Sequence, residues 1–294
     1  MSGERSTQSS ELEQQAKPEV VPTNNDTDDV KKPASTFADW WRERCRKLPS
    51  RHHDCYYGGY VSGLFINRAM SLSIGNCKDV GALFRLTNSY LLVCDEQESN
   101  RFHGYVADIP VVKTSLAGCR VIGRMCVGNK NGLLIPEATT DLELQHLRRE
   151  LPDSIEVRTL EDKLSALGNV IVCNDRVALI HPDLDKESEE IIADALQVEV
   201  FRYIIANNSL VGSYCVMNNN GAMVHADASE TELEDLASLL ELQLATGTVN
   251  SGSKVVASGL IANDEFAYAG KDTTCEEYVS IEKALQFPIH RCNY

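Results

Sequence analysis

From about residue 75 onward, apolar positions follow two periods, and the two alternate in one order several times over. Apolar runs of strand length, such as Leu133-Leu134-Ile135 and Val177-Ala178-Leu179-Ile180, give way to stretches with helical spacing. Leu144, Leu147 and Leu151 form one such stretch, and Leu233, Leu236 and Leu240 another. The first pattern fits a buried strand and the second a helix with a single apolar stripe. A β-type segment closes each unit, as in Ile155-Glu156-Val157-Arg158 and Val198-Glu199-Val200-Phe201, and another opens it, as in Arg124-Met125-Cys126-Val127. The pattern predicts an α+β chain built from units of strand, strand, helix and strand.

The units are copies of one another. Ile122–Pro136, Leu167–Pro182, Val211–His225 and Val256–Gly270 superpose on Asn129, Asn174, Asn218 and Asn263, which lie 45, 44 and 45 positions apart. Eleven positions after each asparagine stands a helix-capping residue: Thr140, Asp185, Ser229 and Thr274. Thr140/Glu143, Ser229/Glu232 and Thr274/Glu277 also have the spacing of a capping box, in which cap hydroxyl and glutamate each satisfy an orphan amide. A weaker first copy is aligned on Asn88, with Ser99 as its cap. Asn131-Gly132 and Asn220-Gly221 read as hairpin turns with left-handed backbone. Five copies can stack openly or close on themselves. An open stack needs polar terminal repeats, and the last copy is as apolar as the middle ones. The expectation is a closed five-bladed ring with pseudo-fivefold symmetry, the architecture called the pentein fold.

Composition divides the chain. Residues 1–69 form an extension: the first 35 have too few large apolar groups to repay ordering and are expected to be disordered. A basic aromatic stretch follows, with Trp40, Trp41, Arg42, Arg44, Arg46 and Lys47, then His52, His53 and Cys55, which lack the rest of a metal-ligand set. Residues 70–294 form the five-repeat domain. Residues 1–70 hold 10 basic and 10 acidic groups, so residues 71–294 carry the other 18 and 33 and the whole net charge of −15. Such a body is repelled by naked nucleic acid and suits a basic protein surface. No apolar run reaches the roughly 18 residues of a membrane helix, and the polar start has no signal-peptide core. Ten cysteines with no C-x-x-C pair argue against structural zinc and for thiols that stay reduced. No phosphate loop, dinucleotide fingerprint or metal set is present, so no cofactor is expected.

Several blocks make the resemblance specific: Ile122-Gly-Arg-Met-Cys-Val-Gly-Asn129, Leu164-Ser-Ala-Leu-Gly-Asn169, His181-Pro-Asp-Leu-Asp185, Val211-Gly-Ser-Tyr-Cys-Val216 and Gly247-Thr-Val-Asn250. Collinear from about Cys77 to about Gln286, they resemble eukaryotic translation initiation factor 6. The resemblance implies a monomeric pentein ring that binds the large ribosomal subunit near the sarcin-ricin loop and the tail of a neighbouring ribosomal protein. It implies that the ring keeps the small subunit from joining prematurely. It further implies a part in large-subunit biogenesis and export, release by a GTPase and its cofactor, and residence in cytoplasm, nucleus and nucleolus. The family starts near the position of Met70, so the extension lies outside the resemblance; the serine-bearing tail that animal members carry after the last repeat has no counterpart in this sequence, and regulation by phosphorylation there is not expected.

Candidate contact residues come from the joins between units, where Gly123-Arg124, Gly168-Asn169 and Gly212-Ser213 hold equivalent places. Glycine serves a tight join by itself, whereas the residue after it changes type from copy to copy, which suits a partner better than a fold. The resemblance puts Arg124 and Asn169 on the ribosome-facing side, and the candidate ribosome-binding set is Arg124, Gly168, Asn169 and Ser213. The competing reading is a guanidino-modifying enzyme, since penteins include deiminases and amidinotransferases with a cysteine nucleophile. His290 and Cys292 lack the glycine-rich turn of those enzymes. Cys126, Cys173 and Cys215 have only apolar or polar neighbours and read as core thiols, while His181 and His225 mark matching strand ends. No catalytic residue is assigned.

Overall fold

The computed structural model describes residues 68–72, 77–94 and 109–287. The expectations for residues 1–67, for Ser99 and His103, and for His290 and Cys292 lie outside them. The described residues form five three-stranded sheets. The chain opens with β1 (Ala69–Leu72). The first blade holds α1 (Val80–Leu83), β2 (Arg85–Leu86), β3 (Leu91–Val93) and β4 (Val111–Lys113). The second holds α2 (Ile122–Met125), β5 (Val127–Gly128), β6 (Gly132–Pro136), α3 (Asp141–Glu150) and β7 (Glu156–Leu160). The third comprises α4 (Leu167–Val170), β8 (Ile171–Cys173), β9 (Val177–Ile180), α5 (Lys186–Leu196) and β10 (Glu199–Arg202). The fourth comprises α6 (Val211–Tyr214), β11 (Cys215–Met217), β12 (Gly221–His225), α7 (Glu230–Leu240) and β13 (Gln243–Gly247). The fifth has α8 (Val256–Gly259), β14 (Leu260–Ala262), β15 (Ala267–Gly270) and α9 (Cys275–Leu285).

In the second, third and fourth blades the central strand pairs antiparallel with the strand before it and parallel with the strand after the helix, as β6 does with β5 and β7; in the first, β3 pairs antiparallel with β2 and parallel with β4. Among the described residues the fifth blade has no such strand after α9. Its parallel partner is β1, which registers Ala69 on Ala267 and Leu72 on Gly270. The first strand of the ring thus completes the last blade. Glu282 on α9 pins that junction by accepting the N–H groups of Arg68 and Ala69 at 3.2 and 3.5 Å.

The core confirms closure. Apolar residues gather into five clusters, each shared by two adjacent blades. One joins Val127, Leu134 and Leu160 to Ile171, Ile180 and Ile192, and the cluster that closes the circle joins Ile261, Phe266 and Tyr268 to Val80, Phe84 and Leu91. Each fully buried aliphatic side chain contributes roughly 1.5–3 kcal/mol, so every blade depends on both neighbours. The five sheets are not continuous with one another. Closure comes from packing and side-chain hydrogen bonds, and each sheet keeps its own two edge strands.

The asparagines supply those bonds. In each copy the Oδ1 accepts two N–H groups of its own turn, as Asn129 does from Asn131 and Gly132 at 2.9 and 3.1 Å. The Nδ2 then reaches into the next blade. Asn129 donates to the carbonyl of Asn174, Asn174 to Asn218, Asn218 to Asn263, and Asn263 to Thr87, at 3.0–3.3 Å. Thr87 therefore holds the first copy's place, and Asn88 stands one position beyond it. The Thr87 hydroxyl accepts the N–H groups of Ser89 and Tyr90 as an asparagine would. It has no amide to pass on, and the Tyr90 hydroxyl makes the missing link by donating to Gly132 O at 2.9 Å.

Other expectations are corrected. Of the expected opening strand Arg124-Met125-Cys126-Val127, Arg124 and Met125 are helical and only Val127 is in a strand, since every copy begins with a four-residue helix at the ring centre. Asn131-Gly132 and Asn220-Gly221 do join antiparallel strands, β5 to β6 and β11 to β12, but Asn131 and Asn220 do not adopt left-handed backbone; the side chain of the preceding asparagine closes the turn instead. Gly132 and Gly221 serve close packing: a Cβ there would lie 2.1 Å from the carbonyl of Ala195 or Ala284. The left-handed pairs fall elsewhere, at Ala117-Gly118, Ala206-Asn207 and Asn250-Ser251, in the loops between blades.

All four helix caps stand where the spacing puts them, but the capping box is complete only at Thr140/Glu143 and Thr274/Glu277. Glu232 instead accepts Ala206 N–H at 2.6 Å. Its counterparts also grip the loop before their blade, Glu143 at Ala117 and Gly118 and Glu277 at Ser251 and Gly252. In the third blade the loop supplies the carboxylate, with Asp162 accepting from the Ser188 hydroxyl. Cys77, Cys94, Cys119, Cys126, Cys173 and Cys215 are free thiols. Cys275 is disulfide-bonded, against the expectation that the cysteines are reduced.

Candidate functional site

The five short helices α1, α2, α4, α6 and α8 form a closed circle around the axis, each packed on the next. None has a side-chain N-cap, and each runs straight into an extended residue. Their second residue is Gly81, Gly123, Gly168, Gly212 or Ala257. A Cβ at Gly123 would sit 2.1 Å from Gly81 O, and one at Gly168 the same distance from Gly123 O. Glycine is thus imposed by the approach of one helix to the next. Gly168 is buried and offers backbone only.

The third residue of each helix, Ala82, Arg124, Asn169, Ser213 or Ser258, faces fewer constraints. The structure brings three of the candidate residues together. Arg124 Nη1 donates to Asn169 Oδ1 at 3.3 Å and to Gly212 O at 3.4 Å, and the Ser213 hydroxyl donates to the same Asn169 oxygen at 3.3 Å. Ser258 turns instead to Asp79 at 2.9 Å. Bonds of 3.3–3.4 Å are at the long limit for N–H···O and O–H···O contacts. Three partly exposed apolar residues belong to the same helix starts. Val121, Leu210 and Val255 stand immediately before α2, α6 and α8 and are 36–40% exposed.

Behind these helices lies an axial cavity of about 70 Å³, lined by residues of all five blades. Arg85 crosses it from the first blade, donating through Nη2 to Gly123 O at 2.8 Å and Cys126 O at 2.7 Å. At the far end, the position after each repeat asparagine forms a second circle of Asn88, Lys130, Asp175, Asn219 and Asp264. The Nδ2 groups of Asn88 and Asn219 each donate to both Asp175 Oδ2 and Asp264 Oδ2, at 2.7–2.9 Å. This lattice of two carboxylates and two amides caps the axis. Sequence reading missed it because the first copy was aligned on Asn88. Aligned on Thr87, the column Asn88, Lys130, Asp175, Asn219, Asp264 is plain.

The cysteines near the axis are poor nucleophiles. Burial pushes the Cys126 thiol up to about 11 and those of Cys173 and Cys215 to about 12, so all three stay protonated at neutral pH. Among the described residues no histidine lines the cavity. His181 and His225 occupy equivalent places, each accepting through Nδ1 the N–H two residues ahead, from Asp183 and Asp227. Among the described residues no group of three or more His, Cys, Asp or Glu is placed to hold a metal, and no helix is long and apolar enough to cross a membrane.

Comparison with known proteins places the ring. The sequence profile of the eIF-6 family matches residues 69–284. The chain is 52% identical over 222 residues to eukaryotic translation initiation factor 6 of Drosophila melanogaster, covering 74% of this chain and 91% of that protein. It is 54% identical over 222 residues to eukaryotic translation initiation factor 6-2 of Arabidopsis thaliana, again covering 74% and 91%. Against the Saccharomyces cerevisiae factor the figures are 51% over 215 residues, 72% and 88%. Among solved structures, an arginine dihydrolase from Cyanobacteria overlaps with a TM-score of 0.39 at 12% identity, covering 57% of this chain and 28% of that one. A dimethylarginine dimethylaminohydrolase adduct gives 0.38 at 15%, covering 57% and 68%. From the span and level of the match to the family and its curated relatives, the chain belongs to the eIF-6 family.

Proposed function

We propose that this protein binds the large ribosomal subunit and, by occupying the joining face, keeps the small subunit away without any chemistry. The observation that carries the reading is identity above 50% across the whole ring to factors named for translation initiation. The contact face is the mouth formed by the short helices, with Arg124, Asn169 and Ser213 as its polar centre and the buried Gly168 setting their spacing. Three features support that choice. The three side chains form one mutually bonded cluster at weak distances, it is framed by exposed Val121, Leu210 and Val255, and the opposite mouth is capped by its own amide–carboxylate lattice. Basic protein tails suit the acidic body, and an arginine with amide and hydroxyl neighbours suits a polypeptide or RNA backbone.

The protein acts as a monomer in large-subunit maturation and export, works in nucleus, nucleolus and cytoplasm, and is released by a GTPase with its cofactor. The neutral thiols of Cys126, Cys173 and Cys215 weigh against the guanidino-modifying alternative. Co-sedimentation with purified large subunits tests the contact face. Natural chain should pellet with them, and Asn169→Arg should not, while its melting temperature stays within about 2 °C. Equal pelleting of both removes Asn169 from the contact.

A further inference from the structure

Two guanidinium groups line the axial cavity, those of Arg85 and Arg124. Buried charge is costly unless it is paired. No carboxylate of the described residues makes an ion pair with either arginine. The carboxylates lining the same cavity are committed elsewhere. Asp175 and Asp264 accept from Asn88 and Asn219 side chains and from the N–H groups of Lys130 and Asn219. Asp79, beside Arg124, takes the Ser258 hydroxyl.

The protein partners of both guanidiniums are neutral. Arg85 Nη2 has two backbone carbonyls, and Arg124 Nη1 has an amide oxygen and a carbonyl. Arg85 Nε and Arg124 Nη2 are buried with no acceptor in the protein. Burial, with the charge of Arg85 beside it, draws the Arg124 guanidinium down to about 10, and Asp79 opposes this only in part. The cavity, at about 70 Å³, exceeds the 10–15 Å³ that a single water needs.

We propose that the axial cavity binds one small inorganic anion, of chloride or orthophosphate size, between the free N–H groups of Arg85 and Arg124. Water could meet the same donors but would leave both charges uncompensated. The anion would tie Arg85, the first residue of β2, to Arg124 on α2 and so brace the circle of short helices from inside.

The test is thermal melting of the full chain at constant ionic strength, with gluconate, which is too large for the cavity, replaced stepwise by chloride or by phosphate. Natural chain should show a rise of about 3–6 °C at tenfold excess over Kd, growing with the logarithm of anion concentration beyond it, and the arm that gives it identifies the anion. Arg124→Gln should melt cooperatively and lose the rise. No rise in either arm, or an equal rise in Arg124→Gln, overturns the proposal. Should Arg124→Gln not fold, bromide-soaked crystals of natural chain decide: an anomalous peak between Arg85 and Arg124 supports the site, and its absence refutes it.

Discussion

Replacing Asn218 isolates what the asparagine circuit contributes. Its side chain is buried and makes four hydrogen bonds. Oδ1 accepts from Asn220 N at 2.9 Å and Gly221 N at 2.8 Å, and Nδ2 donates to Asn263 O and Leu285 O, both at 3.0 Å. In Asn218→Ala the N–H of exposed Asn220 can turn to solvent, but the other three partners stay buried and unmet. At about 1 kcal/mol each the loss is about 3 kcal/mol, or about 6–12 °C for a ring of this size. Thr87 shows what threonine can do at this place: it keeps both acceptor bonds and makes no onward donation. Asn218→Thr should therefore lose about 2 kcal/mol, from the two carbonyls alone. Denaturant unfolding of both variants gives the two values directly. If Asn218→Ala costs under about 0.5 kcal/mol, or threonine is no better than alanine, the circuit does not hold the blades together.

Glu277 gives a pH test. Burial acts to raise its carboxyl, but donors from Thr274, Thr248, Gly252 and Ser251 outweigh this and hold it below the ordinary value. A lowered folded value means stability that is present above the unfolded value of about 4.3 and is lost as pH falls through the folded one. Glu277→Gln should flatten that acid limb of the melting curve, and an unchanged limb would show that the latch is not ionic. Gly168→Ala should destabilise by about 1–3 kcal/mol or more, because its Cβ would meet Gly123 O at 2.1 Å; melting at the natural temperature would contradict that packing. Removing residues 1–67 should leave large-subunit affinity within a few-fold. Removing residues 1–72 takes β1 from the fifth blade and should broaden and lower the unfolding transition.

Much of this molecule was legible from spacing. The 11-residue interval from asparagine to cap located four helix starts, because a cap and a buried turn asparagine each demand particular side chains. Apolar runs found β6, β9 and β12 because these central strands are buried on both faces. The short helices were missed, since four residues are too few to show a helical period. The fifth blade's closing strand was illegible because its partner lies about 200 residues away in sequence. The candidate residues were visible as a column after glycine, but their mutual bonding was not: Arg124, Asn169 and Ser213 meet because the short helices of successive blades pack side by side at the axis. Arg85 and the Asp175–Asp264 lattice escaped notice for the same reason, compounded by a one-residue slip in aligning the first copy.

Sucrose-gradient analysis of subunit joining tests the proposed function most directly. Purified large and small subunits are mixed under joining conditions with an excess of this protein and no nucleotide. Blocking by occupancy predicts that whole ribosomes fall in proportion to protein bound on the large subunit, and that Asn169→Arg fails to reduce them. Undiminished whole ribosomes, with the protein confirmed on the large subunit, would contradict it.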